Sequence, residues 1–123
     1  MKTLCRSSLF IFLLAGLLSP SLRAQTATVI PDTEAAHHVG QQATVEGTVV
    51  KVFTSKNGNT FLNFGAAYPN QTFTGWIAKD SPLVTDGSLT ALEGKKVRIT
   101  GTIDLYKGKP EIRIMSKDQL VSE

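Results

Sequence analysis

Apolar and polar residues change their spacing several times along this chain, and each change marks a predicted element. After Gly40 the period is two: Val45, Gly47 and Val49 alternate with Thr44, Glu46 and Thr48, the pattern of a half-buried strand. The strand runs on through Val50, Val52 and Phe53, with a phase slip at Val49 and Val50 that predicts a β-bulge. Asn57-Gly58 predicts a tight turn into a second strand, Thr60 to Phe64. A loop from Gly65 to Asn70 leads to a third strand, Gln71 to Ile77. Ser81-Pro82 and Ser88 are helix-start signals and Gly94 a stop signal, so one or two short helical turns, broken near Gly87, lie between Asp80 and Glu93. The fourth strand places Val97, Ile99, Gly101, Ile103 and Leu105 on one face. Tyr106 to Pro110 turns the chain into a fifth strand, in which Ile112 and Ile114 alternate with Glu111, Arg113 and Met115. A polar tail follows. Upstream, Asp32 or Thr33 can cap a short helix through His38 that Gly40 ends, and residues 25–31 read as a flexible lead-in.

Three strands, a short helix and a two-strand hairpin, preceded by a short helix, is the element order of the five-stranded OB-fold barrel. The expected class is therefore all-β, with the domain spanning residues 32–123. An SH3-like barrel is the alternative, but it has no natural place for the 14-residue stretch Asp80 to Glu93.

The first residues change the charge arithmetic. Lys2 and Arg6 precede an apolar run from Leu9 to Leu18, followed by Ser19, Pro20 and the small Ala24, the order of a secretory signal over residues 1–24. The run is about half of the ~20 residues that cross a bilayer as a helix, so no membrane span is expected after cleavage. Cleavage after Ala24 would remove Lys2, Arg6 and Arg23 from the 13 basic residues and leave 10 against 10 acidic ones. A neutral mature chain excludes a strongly basic, DNA-coating protein. The single cysteine, Cys5, lies in this leader, so the mature chain would form no disulfide. The expected location is exported, periplasmic or secreted, with a bacterial setting favoured over an animal one by the lack of disulfides.

The run Thr60 to Gly65, then Tyr68-Pro69-Asn70-Gln71 and Phe73-Thr74, then Gly94 to Val97 and Tyr106 to Ile112, resembles small bacterial OB-fold domains of the nucleic-acid-binding, tRNA-anticodon-binding-like type. The resemblance covers roughly Glu34 to Val121 and implies the barrel fold and a nucleic-acid ligand. Gly75-Trp76 departs from the β-branched pair expected there, so the resemblance does not extend to Trp76.

OB barrels bind on the face of strands two and three and with the loops between strands one and two and four and five. A hairpin register with Leu62 opposite Phe73 and Phe64 opposite Gln71 turns Leu62, Phe64, Phe73 and Ile77 to the core. Phe61, Asn63, Thr72, Thr74 and Trp76 then share the other face, two aromatics among small polar residues, as base stacking requires. The bland alternative is that the helix or the loop covers one or both rings. Tyr68 and Tyr106 are further candidate contacts. Lys51, Lys56, Lys107 and Lys109 from the flanking loops, with Arg98 and Arg113, form a candidate basic rim; the alternative is ordinary solvated lysine on hairpin turns, which also blocks edge pairing. Gly47, Gly75 and Gly101 read as positions where a side chain does not fit.

His37-His38 are adjacent and about 100° apart on a helix, so they do not chelate one ion together, and no metal or other cofactor is expected. No Gly-x-Ser-x-Gly run occurs and the carboxylates are scattered, so no catalytic residues and no enzyme activity are expected. The expected function is binding of single-stranded nucleic acid by stacking and a basic rim. The alternative is an envelope protein-interaction module, or a small-ligand-binding one, using the same face.

Overall fold

The structure, a computed structural model, describes residues 28–123. Residues 1–24, read as a signal, and 25–27 of the lead-in lie outside the described residues. Alternating sequences form the strands β2 (Gln42–Thr54), β3 (Thr60–Phe64), β4 (Phe73–Ile77), β5 (Lys96–Thr102), β6 (Asp104–Tyr106) and β7 (Lys109–Arg113). Two strands that sequence patterning did not mark complete the set: β1 (Thr28–Pro31) and β8 (Leu120–Ser122). The described residues thus hold eight strands, not five, in the order β6-β7-β4-β3-β2-β5-β8, with β1 added beside β2. That hydrogen-bonded path is not a closed ring; the chain itself passes from β5 to β6 through Ile103.

The differences have local causes. Residues 28–31 form a strand: they pair in parallel with Ala43 to Glu46 and bury Ile30, but four residues are too few to show a period. The tail is folded because Gln119 clips it down. Its amide oxygen accepts from the Met115 and Ser116 amides, while its nitrogen donates to the carbonyls of Thr100 and Arg113. The fourth strand breaks at Ile103, whose backbone bonds Gly40 and Gln41 instead of continuing its ladder. Leu105, expected inside, is consequently exposed on β6. The Asp32–His37 segment is a 3-10 turn entered from Pro31 with no side-chain cap; Asp32 instead accepts from the Thr72 hydroxyl.

Other local signals read as they fold. The bulge falls between Val49 and Lys51. Gly58 sits at φ +92° in the Asn57-Gly58 turn, and Ser81 caps α1 (Pro82–Thr85) by accepting from the Leu83 amide. A 3-10 turn at Ser88–Leu92 follows Gly87 at φ +75°. The core packs Leu62, Phe64, Phe73, Ile77, Ile99 and Ile112 with their neighbours, and Phe64 meets Phe73 edge-on with ring centres 5.2 Å apart.

The β3–β4 register differs from the sequence reading. Phe64 pairs with Phe73 and Leu62 with Gly75, two residues along from the expected alignment. A shift of two leaves every side chain on its face, so alternation cannot distinguish the two alignments. The loop decides: Gly65 turns at φ +81°, and the Thr72 amide and hydroxyl both donate to the Phe64 carbonyl, so Gln71 and Thr72 belong to the loop rather than the strand.

Candidate functional site

Two rows of side chains cross the outer face of β2, β3, β4 and β7. In the first, Phe53 faces Phe61, Phe61 faces Trp76, and Trp76 faces Arg113 through successive ladders. Phe53 and Phe61 have ring centres 6.2 Å apart, and the Arg113 guanidinium carbon lies 5.1 Å from the Trp76 ring centre. In the second row, Lys51 faces Asn63, then Thr74, Glu111 and, on β6, Asp104. The rows lie two residues apart on each strand, which puts both on one side of the pleat.

From these rows Lys51, Phe53, Phe61, Asn63, Thr74 and Glu111 floor a groove of about 460 Å³. The loop residues Ala67, Tyr68 and Pro69 and, from the β6–β7 hairpin, Tyr106, Lys107 and Lys109 line it as well. A second hollow of about 360 Å³ reaches Trp76 and Arg113 and shares Ser55, Phe61, Tyr106 and Glu111 with the first, so the two are contiguous.

The aromatic rings are available to a ligand. Phe53 is 50% exposed, Tyr68 64% and Tyr106 48%, while Phe61 and Trp76 are half-buried. Neither reading of the Phe61 and Trp76 pair is met in full: each ring is flanked by a neighbour in its row and open above. Asn63 and Thr74 are buried beneath, and the Thr74 hydroxyl donates to the Asn63 side-chain oxygen at 3.2 Å. Glu111 is the buried charge of the floor, only 4% exposed. Burial pushes its carboxyl above the ordinary carboxylate range, Arg113 opposes the rise, and Asp104 adds to it.

The expected basic rim is brought together only in part. Lys51, Lys107 and Lys109 line the main groove and Arg113 the second hollow. Lys51 lies 3.9 Å from Glu93, and Lys109 donates to the Gln71 carbonyl at 3.3 Å. Lys107 sits over the Tyr106 ring, its ammonium 5.4 Å from the centre. Lys56 is exposed beside the Asn57-Gly58 turn and lines neither hollow. Arg98 is outside the site. It stands opposite Glu46 in the β2–β5 ladder and bonds the carboxylates of Glu46 and Glu123, which holds Glu46 below the usual carboxylate range.

Sequence reasoning missed Phe53, Ser55, Gln71 and Glu111. Two of them had a usable signal: Phe53 lies two residues beyond Lys51 and Glu111 two before Arg113, both candidates for the rim, and residues two apart on a strand share a face. His37 contacts Glu34 and His38 contacts Gln41, each separately. Among the described residues, no three or more His, Cys, Asp or Glu side chains are grouped to hold a metal ion, and no helix is long and apolar enough to cross a membrane.

No family model and no curated protein sequence matches this chain. Solved structures do. An aspartyl-tRNA synthetase from Entamoeba histolytica superimposes with a TM-score of 0.52 at 14% identity, over 90% of this chain and 26% of that one. A protein described as an aspartyl-tRNA synthetase from Leishmania major Friedlin gives 0.52 at 11%, over 88% and 23%. The OBody AM1L10 bound to hen egg-white lysozyme gives 0.56 at 14%, over 83% and 98%. The likeness is one of fold. The chain is all-β and OB-like, and it spans about a quarter of the two synthetases. Its open face of β3 and β4, with the hairpin loops beside it, is where barrels of this type place ligands.

Proposed function

We propose that this protein binds single-stranded nucleic acid along the groove, without catalysis. One observation carries the reading: the row Phe53, Phe61 and Trp76 lies beside a second row whose charges are sorted, with a buried carboxylate in the floor and lysines at the rim. That sorting repels phosphate from the floor and attracts it to the edge, so bases enter and the backbone stays outside. Phe61, Phe53 and Tyr106, with Tyr68 above, offer stacking surfaces worth ~1–3 kcal/mol per base. Lys51, Lys107, Lys109 and Arg113 meet phosphates. The likeness to aspartyl-tRNA synthetases supports a nucleic-acid ligand for this fold. The reading includes export directed by residues 1–24, on the strength of Lys2, Arg6, the Leu9 to Leu18 run and Ala24.

The test is titration with short single-stranded oligonucleotides at low and then moderate salt, followed by Trp76 fluorescence and by anisotropy of the labelled strand. Saturable binding that weakens with salt, and that Phe61→Ala reduces without unfolding, is the expected result. Absence of binding at low salt would remove the proposal.

A protein ligand is the second reading. It is favoured by the exposed rings of Phe53, Tyr68 and Tyr106 and by the similar OBody, which is bound to lysozyme. Such binding responds little to salt, whereas each phosphate contact on a single strand lowers log K by about 0.7 per decade of salt.

A further inference from the structure

The floor of the groove offers acceptors that lack donors. Glu111 is 4% exposed, and among the described residues its carboxylate takes part in no ion pair. Gln71 is 6% exposed, and among the described residues its amide oxygen has no hydrogen-bond partner. The buried hydroxyl of Ser55 also has none among them. All three residues line the same groove. Asn63 and Thr74, by contrast, satisfy each other. Leaving a buried polar atom unmatched is costly; the Gln71 and Ser55 oxygens are themselves covered, so the acceptor that a ligand's N–H groups meet from the groove is the Glu111 carboxylate.

Base edges differ in how they meet such a surface. Thymine and uracil present one ring N–H between two carbonyl acceptors. Adenine and cytosine present an amino donor next to a bare ring nitrogen, which repels the second oxygen of a carboxylate. Guanine alone presents two adjacent donors, its ring N1–H and its exocyclic amino group, matching both oxygens of one carboxylate.

We infer that the groove selects guanine, with the Glu111 carboxylate accepting from the N1–H and amino groups. This inference rests on the nucleic-acid reading and names the base it prefers. Glu111 is reached from β4 by Thr74 and from β6 by Asp104, and Arg113 follows it on its own strand. None of these supplies a neutral donor pair in place of the base.

The test compares a short oligothymidylate with the same strand carrying one central guanine, adenine or cytosine, using the protein and its Glu111→Gln variant. The expected result is about tenfold tighter binding of the guanine strand than of the other three, the scale of one bidentate base contact. Glu111→Gln should erase that preference and at the same time bind oligothymidylate more tightly, because a negative charge has left the floor. A merely structural role for Glu111 would move both affinities in one direction. Equal affinity of the parent for all four strands overturns the guanine assignment and leaves the nucleic-acid reading standing. Failure of all four strands to bind overturns both.

Discussion

Arg113 covers Trp76: the guanidinium carbon lies 5.1 Å from the ring centre, and the two residues are register partners in a parallel ladder between β4 and β7. Trp76 is the single tryptophan of the chain, so the emission comes from this ring alone. Arg113→Ala should shift the emission to the red and cost about 0.5–1 kcal/mol of stability, the range of a partly exposed cation–π pair. An unshifted spectrum would show that the ring owes its half-buried state to other neighbours.

Salt dependence should separate the cations of the groove from the others. Lys51→Ala, Lys107→Ala and Lys109→Ala are each expected to flatten the slope of log K against log salt for a single strand by about 0.7. Arg98→Ala should leave the slope as it is, since Arg98 is held by Glu46 and Glu123 away from the groove. Binding isotherms across a salt series check both statements.

Glu111 should make stability fall as pH rises. Burial raises its carboxyl above the ordinary 4.5, so the folded protein holds the proton more tightly than the unfolded chain. Stability is therefore fully present below about 4.5, declines as pH rises through the raised folded value, and is level above it. Glu111→Gln keeps the shape and removes the charge. It should be more stable than the parent at neutral pH and equal to it at acid pH, as read by urea unfolding in the two buffers.

Gly75 permits close packing of the core against β4. A Cβ there would lie 2.7 Å from Ile99 Cδ1 and 3.1 Å from Ile114 Cδ1, and both isoleucines are buried. Gly75→Ala should cost about 1–3 kcal/mol. Adding Ile99→Val removes the nearest methyl, so the double variant should lose less than the sum of the two single losses in thermal unfolding.

Gln119 holds the C-terminal strand. Its side chain makes four hydrogen bonds to backbone groups of residues 100, 113, 115 and 116, at 2.7 to 3.1 Å. Gln119→Ala should cost about 1–3 kcal/mol through the groups left unpaired. Hydrogen exchange should accelerate first at β8 and along the facing residues Val97 to Ile99.

Near-neighbour physics is what the linear order of residues determined. The Asn57-Gly58 turn, the Ser81 cap, the break at Gly87, the bulge after Val49 and the alternation of β3, β4 and β5 each depend on a few adjacent residues, and each is in place. Alternation also assigned Phe61, Asn63, Thr74 and Trp76 to one face, because a side-chain period of two survives a register error of two. Partners distant along the chain were decided only in three dimensions. Parallel pairing of β1 with β2 and of β4 with β7 joins segments whose ladders leave no mark on their composition. Arg98 and Arg113 are both outward cations on alternating strands, indistinguishable by pattern. One finds Glu46 across β2 and the other finds Trp76 across β4, because strand order around the sheet, and not sequence spacing, sets which outward face each occupies. The same order places Glu111 between Thr74 and Asp104, and so converts scattered acids, lysines and aromatic rings into a groove with a carboxylate floor and a cationic edge.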